Sequence, residues 1–329
     1  HYRERILTSV YYAAHIKEVV STLDIAEQLE QGFIAYSNRR VVVPPVGEMV
    51  FEHPPGDTHI KYGFIKEDDY FVIKIASGFY ENYKVNLPSC SGVVLLFSQK
   101  TGALISILMD EGYLTNIRTA IAGQIVAKYM APKNIRCIGV FGTGIQARLQ
   151  VEYLKTVTNC KKIVVWGRSK ASLASYQADM EAKGYCVDTT TEADVVTRQS
   201  NIIITATPSV TPLINIEQLL VGTHITALGA DTPDKQEIDE RIIQHADVLV
   251  ADSIEQCLTR GEIHQAMKAG VILKENILEL GHVIADPTLG RKTENQLTVA
   301  DLTGVAVQDI QITKAVYHAI QNSLETQPL

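Results

Sequence analysis

The sequence of 329 residues predicts an α/β protein with two parts, an α+β domain followed by a doubly wound parallel sheet. Two observations predict this division. From Ile135 onward, short apolar runs alternate with helical segments, which is typical of a parallel sheet covered by helices. Before Ile135, strand-like runs follow one another across short turns, which is typical of an antiparallel sheet.

The elements of the first part begin with a helix, for which Ser21 and Asp24 resemble a capping box ahead of an apolar stripe at helical spacing. A second helix, capped by Thr115, is expected to run to Pro132. Between the two helices, strands are predicted over residues 47–51, 59–64, 70–76, 92–98 and 103–109, the last two as a hairpin.

The second part is predicted to contain strands over residues 135–141, 162–166, 185–189, 201–206, 223–229 and 247–251. A final helix over residues 314–324 is expected to return to the first domain. We therefore expect one domain over residues 1–118, joined by a C-terminal helix within 306–329, and a second domain over residues 119–305.

Composition sets limits on function. An apolar content of 46% and a charged content of 20% are typical of a globular protein with a large core. The net charge of −7 argues against nucleic acid or an anionic membrane as the main partner. No apolar run approaches the roughly 20 residues that span a bilayer. Five scattered cysteines without paired spacing indicate reduced thiols, so we expect a cytoplasmic protein without a metal site.

The turn after the first apolar run of the second part has the spacing of a dinucleotide-binding motif. Gly142 permits a tight turn, Gly144 lets the backbone approach a pyrophosphate, and Ala147 lets helix and strand pack closely. An ordinary strand–turn–helix corner is the alternative. The dinucleotide interpretation predicts a Rossmann domain and assigns cofactor contacts to Gly142, Thr143, Gly144, Ile145 and Gln146.

The end of the next strand bears on the choice of cofactor. An NAD site usually carries an acid there, whereas this chain has Gly167, Arg168 and Ser169. A guanidinium and a hydroxyl suit a 2′-phosphate, which favours NADP(H); a solvated turn arginine is the alternative. Further cofactor contacts are assigned to Thr205, Ala206, Thr207, Leu228, Gly229 and Val305.

Three polar residues stand out from their surroundings. Lys74 interrupts an apolar strand on the face opposite Phe71 and Ile73, where a solvated lysine is the ordinary interpretation. Arg118 lies in the first turn of a helix, where a cation is unfavourable unless it binds a carboxylate together with free backbone N–H groups. Asp231 follows a strand of the parallel sheet, where it is either a turn residue or an acid that binds an ammonium and moves a proton.

Five segments in register give the chain a resemblance to the ornithine cyclodeaminase/μ-crystallin family, and the likeness extends to the sequence VAVQD near the C-terminus. The segments are Lys74, LPS at 87–89, LTNIRTA at 114–120, GTGIQA at 142–147 and GADTPDKQEID at 229–239. The resemblance implies a substrate-binding and dimerisation domain followed by a Rossmann domain, assembled as a homodimer.

The resemblance also implies roles for single residues. Lys74 and Arg118 would hold the α-carboxylate of the substrate, and Ser89 would add a hydroxyl. Glu48 is the candidate partner of a distal ammonium, and Arg40 is a further candidate for the carboxylate. At the position of Asp231, cyclodeaminases and the related alanine dehydrogenase carry aspartate, whereas μ-crystallin-like ketimine reductases carry a small residue.

The chemistry expected from this set is oxidation at the α-carbon of an amino acid. Hydride removal leaves an iminium, and a nicotinamide is the acceptor. Lys74 and Arg118 would orient the substrate, and Asp231 would bind its ammonium and take up the proton. The sequence therefore predicts an NAD(P)-dependent enzyme of small amino acids, with ornithine cyclodeaminase first. A net oxidoreductase, either an amino-acid dehydrogenase or a ketimine reductase, is the alternative, and a non-catalytic crystallin-like protein is the second.

Overall fold

A computed structural model of the chain describes residues 8–79 and 81–325, the side chain of residue 325 excepted. Its strands are β1 (Ser9–Tyr12), β2 (Val41–Val42), β3 (Gly47–Glu52), β4 (Pro55–Ile65), β5 (Tyr70–Phe79), β6 (Cys90–Ser98), β7 (Leu104–Met109), β8 (Ile138–Phe141), β9 (Lys162–Trp166), β10 (Cys186–Thr190), β11 (Ile202–Thr205), β12 (His224–Ala227), β13 (Val248–Ala251), β14 (Leu278–Glu279) and β15 (Thr298–Asp301). Its α-helices are α1 (Ala13–Ser21), α2 (Ala26–Ser37), α3 (Tyr113–Met130), α4 (Ile145–Tyr153), α5 (Lys170–Glu181), α6 (Ala193–Gln199), α7 (Glu240–His245), α8 (Ile254–Cys257), α9 (Glu262–Lys268), α10 (Leu280–Ala285) and α11 (Ala306–Glu325).

The described residues form two compact units. The first contains the residues up to Arg118 and those from Val305 onward, and the second spans Thr119–Gly304. Val305, which the sequence analysis placed in the second domain, thus begins the returning segment of the first unit. Residues 1–7 and 326–329 of the expected domain ranges lie outside the described residues.

The first unit is built on a mixed sheet with the strand order β1-β7-β6-β5-β4-β2, and β3 also pairs with β4. Only β1 and β7 pair in parallel among these described strands. Helix α11 packs on β4 and β5 and against α1 and α2. The sheet face that carries Val72 and Lys74 is buried, together with Val94, Leu96 and Leu108 on the neighbouring strands.

The N-terminal helix differs from the prediction. The region contains two helices, because α1 ends at Ser21 and α2 begins only at Ala26. The Ser21 hydroxyl donates to the carbonyl of Glu18 at 2.6 Å, so it closes α1 and does not cap the next helix. Asp24 keeps a capping role, since its carboxylate accepts from the N–H of Ala26 at 3.2 Å.

The second unit contains an all-parallel sheet with the strand order β10-β9-β8-β11-β12-β15-β13-β14. The six predicted strands are present, and β14 and β15 are additional. From β8 the chain adds β9 and β10 on one side and then β11 on the other side, so the order of the strands reverses between β8 and β11. Ligands of doubly wound sheets bind beyond the carboxyl ends of the strands at such a reversal. The predicted fold class is confirmed. No described helix combines the length and apolar character that a membrane crossing requires.

Candidate functional site

The glycine turn after β8 opens a cleft at the reversal point of the parallel sheet. Gly142 has a φ of +111°, and a Cβ there would lie 2.6 Å from the carbonyl oxygen of Ala206, so only glycine fits. A Cβ on Gly144, by contrast, would meet nothing within 4 Å, which leaves open space in front of the start of α4. The cleft has a volume of about 630 Å³. Its lining includes Gly142, Thr143, Gly144, Gly167, Arg168, Ser169, Ala206 and Thr207.

Arg148, which the sequence analysis did not single out, fixes this turn. Its guanidinium donates to the carbonyls of Thr143 and Gly144. Asp179 of α5 holds the same guanidinium at 2.7 Å, and the ring of Tyr176 lies beneath it at 5.1 Å. The N–H of Gly142 donates to the carbonyl of Trp166 at 3.0 Å. With two of its carbonyls bound by Arg148, the turn is fixed at the start of α4, where backbone N–H groups can bind an anion. The signal in the sequence is the arginine that directly follows the motif.

The end of β9 places a free cation on the cleft. Arg168 is exposed and makes no hydrogen bond or ion pair with the residues that the structure describes. Ser169 caps α5 by accepting from the N–H of Ser172 at 3.4 Å. Its hydroxyl proton is therefore still available to donate to an anion.

A smaller recess lies beyond the ends of β11 and β12, lined by Gln146, Ala206, Thr207, Leu228, Gly229, Asp231 and Lys235 among others. The Asp231 side chain is 52% exposed, and its carboxylate binds the ammonium of Lys235 at 2.8 Å. This carboxylate therefore already holds an ammonium group. Ile145 is exposed outside both openings, whereas Thr205 is fully buried and lines neither of them.

Lys74 and Arg118 come together in the interior of the first unit on a residue that the sequence analysis missed, Asp309. One carboxylate oxygen of Asp309, Oδ1, accepts from Nζ of Lys74 at 3.0 Å and from Nε of Arg118 at 3.1 Å. Lys74 is only 3% exposed and Arg118 only 4%. The interpretations of Lys74 as a solvated lysine and of Arg118 as an exposed first-turn arginine are therefore wrong.

Burial and charge shift the ionisation of this cluster. Burial lowers the pKa of Lys74 to about 8, although the nearby Asp309 carboxylate opposes the shift. Burial acts to raise the pKa of Asp309, but the adjacent Arg118 and Lys74 cations outweigh it, so the pKa is lowered. The second oxygen of Asp309, Oδ2, is buried and has no hydrogen-bond partner among the described residues. An aspartate in the first turn of the last helix, within VAVQD, was the available sequence signal.

Neighbouring groups hold the cluster in place. Gln308 donates to the carbonyl of Arg118 at 3.1 Å, and its amide oxygen accepts from the N–H of Val305 at 2.8 Å. Val305 is fully buried. Asp110 accepts from the N–H of Leu114 at 2.8 Å, so it takes the capping role at the start of α3 that had been expected of Thr115.

The other predicted substrate residues of the first unit do not join this cluster through any hydrogen bond or ion pair in the described part of the chain. Ser89 is exposed in the loop before β6. Glu48 binds His59 at 3.0 Å across the β3–β4 pair. Arg40 is exposed, with its nearest acid, Glu67, at 3.9 Å.

Comparisons with known proteins identify the family of the chain. The sequence profile of the ornithine cyclodeaminase/mu-crystallin family matches residues 7–323. A putative dehydrogenase of Rhizobium meliloti (strain 1021) is 37% identical over 88% of each chain. Among solved structures, an archaeal alanine dehydrogenase dimer with bound NAD has a TM-score of 0.86 and 30% identity, covering 96% of this chain and 97% of that one.

A second solved structure is Δ(1)-pyrroline-2-carboxylate reductase of Thermococcus litoralis, in complex with NADH and L-proline. It has a TM-score of 0.89 and 28% identity, covering 96% of this chain and 98% of that one. The expectation of an enzyme, either a cyclodeaminase or a related nicotinamide-dependent oxidoreductase of amino acids or imines, is confirmed. The resemblance seen in the motifs is also confirmed: the chain belongs to the ornithine cyclodeaminase/mu-crystallin family.

Proposed function

We propose that this protein removes a hydride from the α-carbon of a small L-amino acid, with the conversion of L-ornithine to L-proline and ammonia as the first candidate reaction. The observation that carries the proposal is the pair of buried cations, Lys74 and Arg118, which share a single carboxylate oxygen of Asp309. Among the described residues Asp309 is the carboxylate that hydrogen-bonds to both cations, and the donors that they have left can bind a substrate carboxylate.

The donors left on the two cations suit a carboxylate. An ammonium has three N–H donors, and Asp309 takes one from Lys74. A guanidinium has five, and Arg118 uses Nε on Asp309 and Nη1 on Gln308. The outer edge of the guanidinium therefore has donors available for a paired interaction with a carboxylate. In this proposal, Asp309 orients both cations while the substrate fills their remaining positions.

Asp231 supplies the acid–base function of the proposal. Its exposed carboxylate binds the Lys235 ammonium at 2.8 Å, so the α-ammonium of a substrate would find a carboxylate suited to it. The same carboxylate takes a proton from this ammonium as the hydride leaves, because the nitrogen lone pair is needed to form the iminium. The family resemblance assigns Asp231 to the same substrate as Lys74 and Arg118.

The second unit fits a nicotinamide dinucleotide. The open space at Gly144, the start of α4 and the free Arg168 together suit a pyrophosphate and an adenosine phosphate. When bound, the nicotinamide would supply the hydride acceptor. Related proteins are known with NAD and with NADH bound. We assign a preference for NADP(H) to this chain because a free guanidinium and a free hydroxyl proton meet at the end of β9.

A net oxidoreductase is the second candidate, and a specific observation favours it. Glu48, the residue expected to hold the distal ammonium of ornithine, lies across the β3–β4 pair from His59 and makes no hydrogen bond or ion pair with Lys74 or Arg118. A substrate without a distal amine would not need Glu48. The similar proteins named alanine dehydrogenase and Δ(1)-pyrroline-2-carboxylate reductase carry out reactions of this kind by name.

The outer sheet face of the first unit supports a homodimer. Phe71, Ile73 and Ile75 of β5 are only half-buried, and so are Leu95 and Phe97 of β6 on the same face. A contiguous apolar face on adjacent strands is typical of a protein–protein interface. We expect Ile73→Asp to convert a dimer to monomers, as measured by light scattering after gel filtration. A wild-type protein that is already monomeric at micromolar concentration would contradict this interface.

One experiment separates the candidate reactions. The protein is incubated with L-ornithine and a catalytic amount of NAD+ or NADP+, and ammonia, proline and net reduced cofactor are measured. Proline and ammonia in equal amounts without reduced cofactor indicate a cyclodeaminase. Stoichiometric reduced cofactor with L-alanine or another amino acid indicates a dehydrogenase, and consumption of NAD(P)H with pyrroline-2-carboxylate indicates a reductase. No turnover in any arm would contradict the proposed function.

A further inference from the structure

We propose that Glu237 is a positioning residue of the cofactor site, whose carboxylate ties the loop after β11 to the loop after β12. The inference rests on the proposed function in one respect, that the two openings of the second unit hold a nicotinamide dinucleotide. Glu237 itself has no proposed role in binding the substrate carboxylate or in proton transfer.

The contacts of Glu237 are divided between the two loops. Its Oε1 accepts from the backbone N–H of Thr207 at 2.6 Å and from the hydroxyl of Thr207 at 2.7 Å. Its Oε2 accepts from the backbone N–H of Gly229 at 2.9 Å. One side chain thus binds the segments that follow two adjacent parallel strands. Both Thr207 and Gly229 line the recess beside Asp231, and Thr207 also lines the larger cleft.

The carboxylate is enclosed and has no counter-cation. Glu237 has no exposed surface, and no lysine or arginine forms an ion pair with it in the described ranges 8–79 and 81–325. Its charge is met by N–H and O–H donors alone, which hold a carboxylate in a defined orientation. The segment that carries it is also fixed, since Glu262 at the start of α9 accepts from the backbone N–H of Glu237 at 2.7 Å.

The two tied loops touch directly. A Cβ on Gly229 would lie 2.3 Å from the carbonyl oxygen of Thr207, so the backbones approach more closely than any side chain allows. The Gly229 N–H also donates to the carbonyl of Thr205 at 3.1 Å, so without the Glu237 carboxylate Gly229 keeps an acceptor, whereas the Thr207 N–H loses the acceptor it has among the described residues. We expect the Thr207 segment to move away from Gly229, which changes the walls of both openings while the strands stay paired.

The test replaces Glu237 by glutamine, which keeps the length of the side chain but places an NH2 donor opposite an N–H donor. Glu279→Gln is the matched control, because Glu279 is also a buried carboxylate of the second unit, bound to the N–H of Ile254 at 2.9 Å, and it lines neither opening. Glu237→Asp is the second variant. It retains the charge but is one methylene shorter, so it cannot reach both loops equally.

Two measurements are made without amino-acid substrate: NADH and NADPH affinity by fluorescence titration, and hydrogen exchange of the cofactor-free protein. We expect Glu237→Gln to weaken cofactor binding about tenfold, with Glu237→Asp intermediate and Glu279→Gln within twofold of wild type. Amide exchange should accelerate at Thr207 in the Glu237 variants, and less at Gly229, which keeps the Thr205 carbonyl as an acceptor. Unchanged affinity in a folded Glu237→Gln protein, or unchanged exchange at Thr207, would overturn the role. Normal cofactor binding without turnover on any substrate would instead contradict the proposed function.

Discussion

Asp309 illustrates how one residue determines the state of two others. Lys74 and Arg118 repel each other, and among the described residues the Oδ1 oxygen of Asp309 alone binds both. A half-buried lysine, Lys61, adds positive charge near the same carboxylate. Removing one partner of a buried ion pair leaves charges that are neither solvated nor paired, which is more costly than losing a surface pair.

We therefore expect Asp309→Asn to destabilise the protein by about 3 kcal/mol in chemical denaturation. The control is Asp68→Asn. It breaks the partly buried ion pair of Asp68 with Lys314, a residue of α11 like Asp309, and should cost about 1 kcal/mol or less. The pKa of Lys74 should also fall, because Asp309 raises it. Equal destabilisation by the two substitutions would show that Asp309 does not hold the cation pair.

Asp231 provides the residue-scale test of the reaction itself. Asp231→Asn keeps the size of the side chain and loses its basicity, so turnover should fall by roughly two to four powers of ten, the range of a general base. Cofactor affinity should not change, since Asp231 lines the smaller recess and not the larger cleft that contains the glycine turn and Arg168. Asp234→Asn, a change at an exposed aspartate in the same turn, is the control and should turn over normally. A reductase whose substrate is already an imine would lose little activity through Asp231→Asn.

At the scale of elements, local signals predicted more than distant ones. The glycine turn and the strand before it could be predicted because the phosphate-binding geometry needs its small residues at fixed spacing within a few positions. The buried face of β5 could not be predicted in this way. Phe71 and Ile73 occupy one face and Val72 and Lys74 the other, and the alternation does not say which is covered.

The covering element decides that question, and it is distant in the sequence. Helix α11 lies over the Lys74 face, and Asp309, which binds Lys74, is 235 residues away from it. Strand β15 was missed for another reason. It has only four residues, Thr298–Asp301, two of them polar, and yet all four are buried between β12 and β13. A short strand with polar ends shows no periodicity on which to base a prediction.

The turn between β9 and α5 carries the prediction about cofactor choice. Arg168→Asp should weaken NADPH binding at least tenfold more than NADH binding, because it replaces a phosphate partner with a repelling charge, and a charged hydrogen bond contributes about 1.5–3 kcal/mol. Arg136→Asp makes the same charge change just before β8, at the amino end of the strand and away from the cofactor cleft. It should affect the affinities for the two cofactors equally. Equal losses for both nucleotides in the Arg168 variant would remove Arg168 from the 2′-phosphate site.

At the scale of the whole molecule, the two units solve the problem of buried charge differently. The first unit pairs buried cations with a carboxylate. The second unit buries Glu237, Asp252, Glu262 and Asp301, and none of them forms an ion pair with a lysine or arginine that the structure describes. Their oxygens accept from backbone N–H groups and from hydroxyls. Burial raises the pKa of Glu237 to about 7 and that of Asp301 to about 8.

These shifts link folding stability to pH. A carboxyl whose pKa is higher in the folded state binds more protons there than in the unfolded chain, so its stabilising contribution is lost as the pH rises through the folded value. For Asp301 that loss extends from about 4 to about 8. His224 has the opposite sign, because burial lowers its pKa to about 3 and its stabilising contribution is lost as the pH falls below about 6.5. The pKa of Lys74 is lowered to about 8, so Lys74 contributes to the pH dependence of stability only above about pH 8.

Between pH 6.5 and 8 the pH dependence of folding stability is therefore set mainly by the buried acids. The protein should lose stability there as the pH rises. For a single group with the shift of Asp301, the loss over this window is roughly 1–2 kcal/mol, since one pKa unit corresponds to about 1.4 kcal/mol. Asp301→Asn removes the titrating group, so the free energy of unfolding should depend less on pH in that variant than in wild type. Urea denaturation at pH 6.5, 7.2 and 8.0 measures the difference. A wild-type stability that stays constant or increases across this window would show that these carboxyls are not protonated in the folded protein.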